Sequence, residues 1–108
     1  MTIRTSTTVK AIGESAFEEC TLITEVTLNT GITEIARNTF KNCINLETIS
    51  LPDTVKTVRN GAFDGCVKVA NLNLSNLTLI GAYAFRNTLI DQRVLFNMKH
   101  HGIQKQMS

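Results

Sequence analysis

The sequence predicts a repeat solenoid: a stack of short coils built from parallel strands and helical turns, closed at its C-terminal end by an α-helix. Three observations predict it. Phe17, Phe40, Phe63 and Phe85 recur at intervals of 23, 23 and 22 residues. Aligning the segments around them puts apolar residues into columns, while the residues between the columns vary. After Thr88 the pattern changes to one with helical spacing. A repeat of this length is a unit that cannot bury its own apolar face and must stack on its neighbour.

Taken in order, residues 1–8 (MTIRTSTT) are polar and β-branched without a clear beat, and read as a leader or an edge strand. The solenoid runs over 9–89, in copies 9–31, 32–54, 55–76 and a truncated 77–89. Its columns are Val9, Ile32, Val55, Leu77; Ile12, Ile35, Val58, Ile80; the four phenylalanines, each preceded by Ala or Thr; and Cys20, Cys43, Cys66. Three more follow: Ile23, Leu46, Val69; Val26, Ile49, Leu72; and Leu28, Leu51, Leu74.

The last three columns are spaced apolar-x-x-apolar-x-apolar and end in the alternation of a strand. Strands that recur once per copy without reversing must pair in parallel. The three-residue steps from Ala16 or Phe17 to Cys20 suggest a tight helical turn. A second short extended piece lies at Val9-x-x-Ile12 and its equivalents.

Residues 90–108 form the tail. Thr88 followed by Asp91 resembles a capping box, and Gly102 after His100 and His101 a stop, so a helix is expected over 89–101. Ile90, Val94 and Met98, with Leu95 beside them, give it an apolar stripe to cap the last coil. Leu89 and Phe96 fall on another side. They either fold back on the coil edge or meet a second subunit or partner, which makes them candidate self-association residues.

These columns resemble the BspA-like leucine-rich repeats, whose coils pair an L-x-x-I-x-I-P strand with an I-G-x-x-A-F-x-x-C segment. LETISLPDTVKTVRNGAFDGC, residues 46–66, is the nearest match, and the resemblance covers about 9–89. Only the second copy keeps the proline (Pro52); Thr39 replaces the small Ala, and Thr88 the fourth Cys. The resemblance implies a right-handed coil stack. It also implies a non-catalytic protein-interaction module, with roles in adhesion or recognition.

Other chemistries lack support in the residues. A net charge of +2, from 11 Lys and Arg against 9 Asp and Glu, gives no basic run for nucleic acid. The N-terminal segment lacks the apolar core of a signal peptide and no run is long enough to span a bilayer, so the chain reads as cytoplasmic; the resemblance keeps a cell-surface role open. The cysteines are one coil apart instead of paired as C-x-x-C, which fits small buried hydrophobes rather than metal ligands or a disulfide framework. Adjacent histidines point about 100° apart on a helix, and no nucleophile elbow, P-loop or dinucleotide fingerprint occurs. No enzyme activity, cofactor or metal is expected.

What remains is the outward side of the strands. Glu25, Thr48, Asn71 and Thr27, Ser50, Asn73 form two polar columns, the expected protein-binding face. The same residues also suit a solvated sheet face, since Thr and Ser tolerate strands and no aromatic or Arg anchor is visible. An alternative to recognition of a partner protein is self-assembly, a homodimer or larger array made through a solenoid end or the C-terminal helix.

Overall fold

β-Branched residues at alternate positions make short strands, one or two per coil, and the computed structural model shows them stacked in two parallel sheets. It describes residues 1–90 and the backbone of 104–105. In chain order the strands are β1 (Thr2–Arg4), β2 (Glu25–Thr27), β3 (Glu34–Ile35), β4 (Thr48–Ser50), β5 (Thr57–Val58), β6 (Leu79–Ile80) and β7 (Gln104–Lys105). One sheet runs β1-β2-β4 and the other β3-β5-β6-β7. Every pair is parallel and in column register: Ile3 beside Val26 beside Ile49, and Ile35 beside Val58 beside Ile80.

Residues 1–8 therefore supply a rung of the first sheet. The Met1 ammonium donates to Leu22 O at 2.8 Å, Thr24 N–H donates to Met1 O at 2.8 Å, and Thr5 N–H to Thr27 O at 3.1 Å. The Thr5 hydroxyl closes the rung on Asn29 Oδ1 at 2.6 Å.

Between the sheets lies one continuous core. Ile23, Val26, Ile32, Ile35, Phe40, Leu46, Val58, Phe63 and Val69 are all fully buried. The phenylalanine rings stack with centroids 5.6, 5.4 and 5.5 Å apart and planes within 11° of parallel. Each ring covers the face of the next, so apolar area is removed on both sides of every interior ring.

The helical turns expected around Ala16–Cys20 are not formed, and no helix occurs among the described residues. The three-residue steps are real: Ala16 N–H bonds Gly13 O, Glu18 N–H bonds Ser15 O, and Cys20 N–H bonds Phe17 O. Within the first and third of these turns, however, Ser15 and Glu19 have φ of 57° and 60°, in the left-handed region that a right-handed helix excludes. Asn38 and Asn42, Gly61 and Gly65, and Tyr83 and Asn87 repeat this in the later coils.

The left-handed residues stand alternate peptide units upright along the solenoid axis. Ser15, Phe17 and Glu19 N–H donate to Arg37, Thr39 and Lys41 O of the next coil, at 3.0, 2.9 and 2.7 Å. Asn38, Phe40 and Asn42 then donate to Asn60, Ala62 and Asp64 O, and Gly61, Phe63 and Gly65 to Ala82, Ala84 and Arg86 O. Each segment is thus a string of β-turns stitched to its neighbours.

Two further expectations fail on local chemistry. Residues 71–73 do not join β4, because Asn73 Oδ1 accepts both the amide and the hydroxyl of Ser75, at 3.0 and 2.7 Å, and turns the chain there. The capping α-helix expected over 89–101 lies outside the described residues but for Leu89 and Ile90, which are not helical. Thr88 instead fills the cysteine column of the fourth coil, its hydroxyl donating to Phe85 O at 2.8 Å and accepting from Ile90 N–H at 3.3 Å.

Candidate interaction surface

The outer face of the first sheet is set by register. β1 brings Thr2 beside Glu25 and Arg4 beside Thr27, and β4 adds Thr48 and Ser50. The columns are therefore Thr2–Glu25–Thr48 and Arg4–Thr27–Ser50, all exposed except half-buried Thr27. Thr2 Oγ1 reaches Glu25 Oε1 at 3.5 Å. Asn71 and Asn73 are exposed but stand outside the sheet, so of six expected residues the structure brings four together. It adds Arg4, a forked cation that the sequence reading set aside with the leader; the β-branched Thr2 and Ile3 around it were the signal for its strand.

At the corner between the second sheet and the turns lies a groove of about 380 Å³ over Leu79, bordered by Glu14, Glu34, Arg37 and Arg59. Arg59 spans the coils to Glu34, with Nη2 to Oε1 at 3.2 Å and both side chains about half exposed. An exposed pair of this kind adds little stability. It fixes two charges in place at the groove.

The last described coil carries a tighter group. Arg86 binds the nearly buried Asp64 carboxylate through Nε, at 3.1 Å, and Nη2, at 2.6 Å. Its guanidinium lies 4.1 Å above the Tyr83 ring. The hydrogen bonds to Asp64 hold the Arg86 guanidinium above its ordinary pKa, so it stays charged.

In the cysteine column Cys43 and Cys66 are buried thiols bonded to backbone, and Cys20 is half-buried. Cys43 Sγ donates to Phe17 O at 3.1 Å and Cys66 Sγ to Phe40 O at 3.0 Å. The neighbouring Cys43 thiol and burial push the Cys66 thiol far above its ordinary value of 9.0. Among the described residues no three His, Cys, Asp or Glu converge as metal ligands, and no helix is long and apolar enough to cross a membrane. Leu89 is exposed, and Phe96 lies outside the described residues.

Comparison with known proteins adds three findings. The model of the BspA type leucine-rich repeat region matches residues 1–107 in six copies, past the 9–89 span at both ends, where β1 and β7 also extend the sheets. A leucine-rich repeat protein from Bacteroides ovatus superposes with a TM-score of 0.75 at 30% identity over 82% of this chain and 26% of its own. The leucine-rich repeat protein of T. pallidum does so with a TM-score of 0.68 at 26% identity, over 75% of this chain and 41% of its own. The chain thus spans less than half the length of either. No curated protein matches it significantly in sequence.

Proposed function

Since this chain belongs to the BspA-type leucine-rich repeat family, a family of protein-interaction repeats, we propose that it is a non-catalytic recognition module whose outer sheet face meets a partner protein. The observation that carries this is the register of β1, β2 and β4, which lines up Thr2–Glu25–Thr48 and Arg4–Thr27–Ser50 as two unbroken polar columns. Hydroxyls alternating with one carboxylate and one guanidinium offer donors and acceptors at strand spacing, roughly 4.8 Å apart. Arg4 is the forked group best suited to a carboxylate on the partner. These side chains have no core to serve, since Ile3, Val26 and Ile49 between them point inward.

The test compares proteins captured by the wild type with those captured by a Thr48→Arg, Ser50→Arg variant. Both positions are exposed, so the fold should be unchanged by circular dichroism. Loss of specific capture supports the sheet face. An identical set of captured proteins removes it.

A further inference from the structure

Two dipeptides in the chain place a glycine directly after Asn or Asp: Asn60–Gly61 and Asp64–Gly65. Both lie in the third coil, in the columns Glu14, Arg37, Asn60, Ala82 and Glu18, Lys41, Asp64, Arg86, so no other coil carries such a pair at either position. Gly61 and Gly65 take the left-handed positions that Ser, Glu, Asn and Tyr fill elsewhere.

Such a dipeptide is chemically reactive. With no side chain to screen it, the glycine nitrogen can reach the preceding Cγ and close a succinimide ring. At Asn60 the bond from Gly61 N to Cγ forms, the Cγ–Nδ2 bond breaks, and ammonia leaves with the Gly61 amide proton. At Asp64 the protonated carboxyl loses water instead. Water then opens the ring: cleavage at Cγ gives aspartate, and cleavage at the main-chain carbonyl gives isoaspartate, whose backbone runs through the side-chain methylene.

Ring closure needs two movements, rotation of the peptide unit before the glycine and a swing of the side chain onto its nitrogen. The fold blocks both. The Asn60–Gly61 peptide is held at either end, its carbonyl accepting from Asn38 N–H at 3.1 Å and its N–H donating to Ala82 O at 3.0 Å. Asn60 Oδ1 accepts from Ala82 N–H at 3.0 Å. The Asp64–Gly65 peptide is held in the same way, by Asn42 N–H at 2.7 Å and by Arg86 O at 2.9 Å. Its carboxylate accepts from Nε and Nη2 of Arg86, at 3.1 and 2.6 Å. In each dipeptide one residue of the fourth coil, Ala82 or Arg86, therefore holds the attacking nitrogen and the attacked side chain at once. If that coil opens, all four groups are released together, and conversion runs at the rate of the open form times its population.

We propose that Asn60–Gly61 and Asp64–Gly65 are latent sites of spontaneous isoaspartate formation, latched by the fourth coil and released when that coil opens. The added methylene displaces the peptide that met Ala82 or Arg86, so the product cannot return to register. Opening thereby becomes a permanent covalent mark, and the marked coil stays open. None of this depends on a partner at the sheet face.

The full chain is aged in mildly alkaline buffer, and isoaspartate at the two sites is quantified by electron-transfer fragmentation of peptic peptides. Conversion in the native chain should be at least tenfold slower than in the urea-unfolded chain, and it should climb at urea concentrations below the global transition. Phe85→Ala, which removes a buried ring from the fourth coil, should speed both sites severalfold, while Phe17→Ala at the opposite end should leave both unchanged. The urea series on the wild type decides alone if Phe85→Ala does not fold. Converted chain should exchange the Phe63 amide, which bonds Ala84 O, faster than native chain. The proposal is overturned by equal conversion of native and unfolded chains, by conversion that stays flat up to the global transition, by equal acceleration in Phe17→Ala and Phe85→Ala, or by unchanged Phe63 exchange after conversion.

Discussion

At residue scale, the left-handed positions decide the turn geometry. Gly61 and Gly65 suit them, and Asn38 and Asn42 tolerate them; Ser15, Glu19 and Tyr83 do not. A Cβ at Gly65 would also meet Asn42 Oδ1. Gly65→Ala should therefore cost about 1–3 kcal/mol, while Glu19→Gly should add up to about 1 kcal/mol, both measured by urea unfolding. This signal was present in the sequence as Asn, Asn, Gly, Gly at matching positions of two copies, and the three-residue spacing beside it was read instead as a helical turn. Cys66 gives a pH dependence. Its folded pKa is raised, so the unfolded chain loses the thiol proton first. The stability it contributes is complete below the ordinary value of 9.0 and falls as pH rises through it. The slope is up to about 1.4 kcal/mol per pH unit. Cys43 shifts the opposite way within the same pair, so the trend belongs to the two thiols together: stability should fall between about pH 8 and 10, and the Cys43→Ala, Cys66→Ala double variant should flatten that fall.

At the scale of the element, the phenylalanine column is the spine of the core. Phe63 is fully buried between two rings, whereas Phe17 is half-buried with a ring on one side. Phe63→Ala should cost about 3–5 kcal/mol, and Phe17→Ala clearly less, by the same urea measurement. Equal losses would mean that stacking contributes little beyond each ring's own burial. These columns were fully legible, since apolar identity recurs with the coil and only stacking explains it. The strand in the third copy was not. Val69, Leu72 and Leu74 keep the apolar spacing, but Asn71 and Asn73 replace the β-branched and hydroxyl residues of the earlier copies, and Asn73 uses its side chain to turn the backbone. Apolar pattern alone does not register that competition. The outward polar columns were legible at Glu25, Thr27, Thr48 and Ser50 for the converse reason, because strand alternation fixes which residues face outward.

At the scale of the whole molecule, stability is a sum over neighbouring coils, so opening should begin at the ends. Amide hydrogen exchange should be slowest at Phe40 and Phe63, which lie in coils with a neighbour on either side, and faster at Phe17 in the first coil, although the N–H groups of all three bond the next coil at 2.8 to 2.9 Å. Uniform protection across the three would show instead that the coils open as one. The upright peptide units also make the turn side electrically polar. In each coil the carbonyl of Arg37, Thr39 or Lys41 points back while the adjoining N–H of Asn38, Phe40 or Asn42 points forward, and the next coils repeat this. Three files of peptide dipoles therefore add head to tail, as in a helix, although no helix is present. Their negative pole falls at the carbonyls of Glu14, Ala16 and Glu18, which accept no hydrogen bond among the described residues, and the same first-coil segment carries three acidic residues, Glu14, Glu18 and Glu19. Glu18→Lys should then raise stability by about 0.3–1 kcal/mol at low ionic strength, a gain that added salt erodes. The left-handed residues that sequence reasoning passed over thus give the solenoid a voltage along its axis.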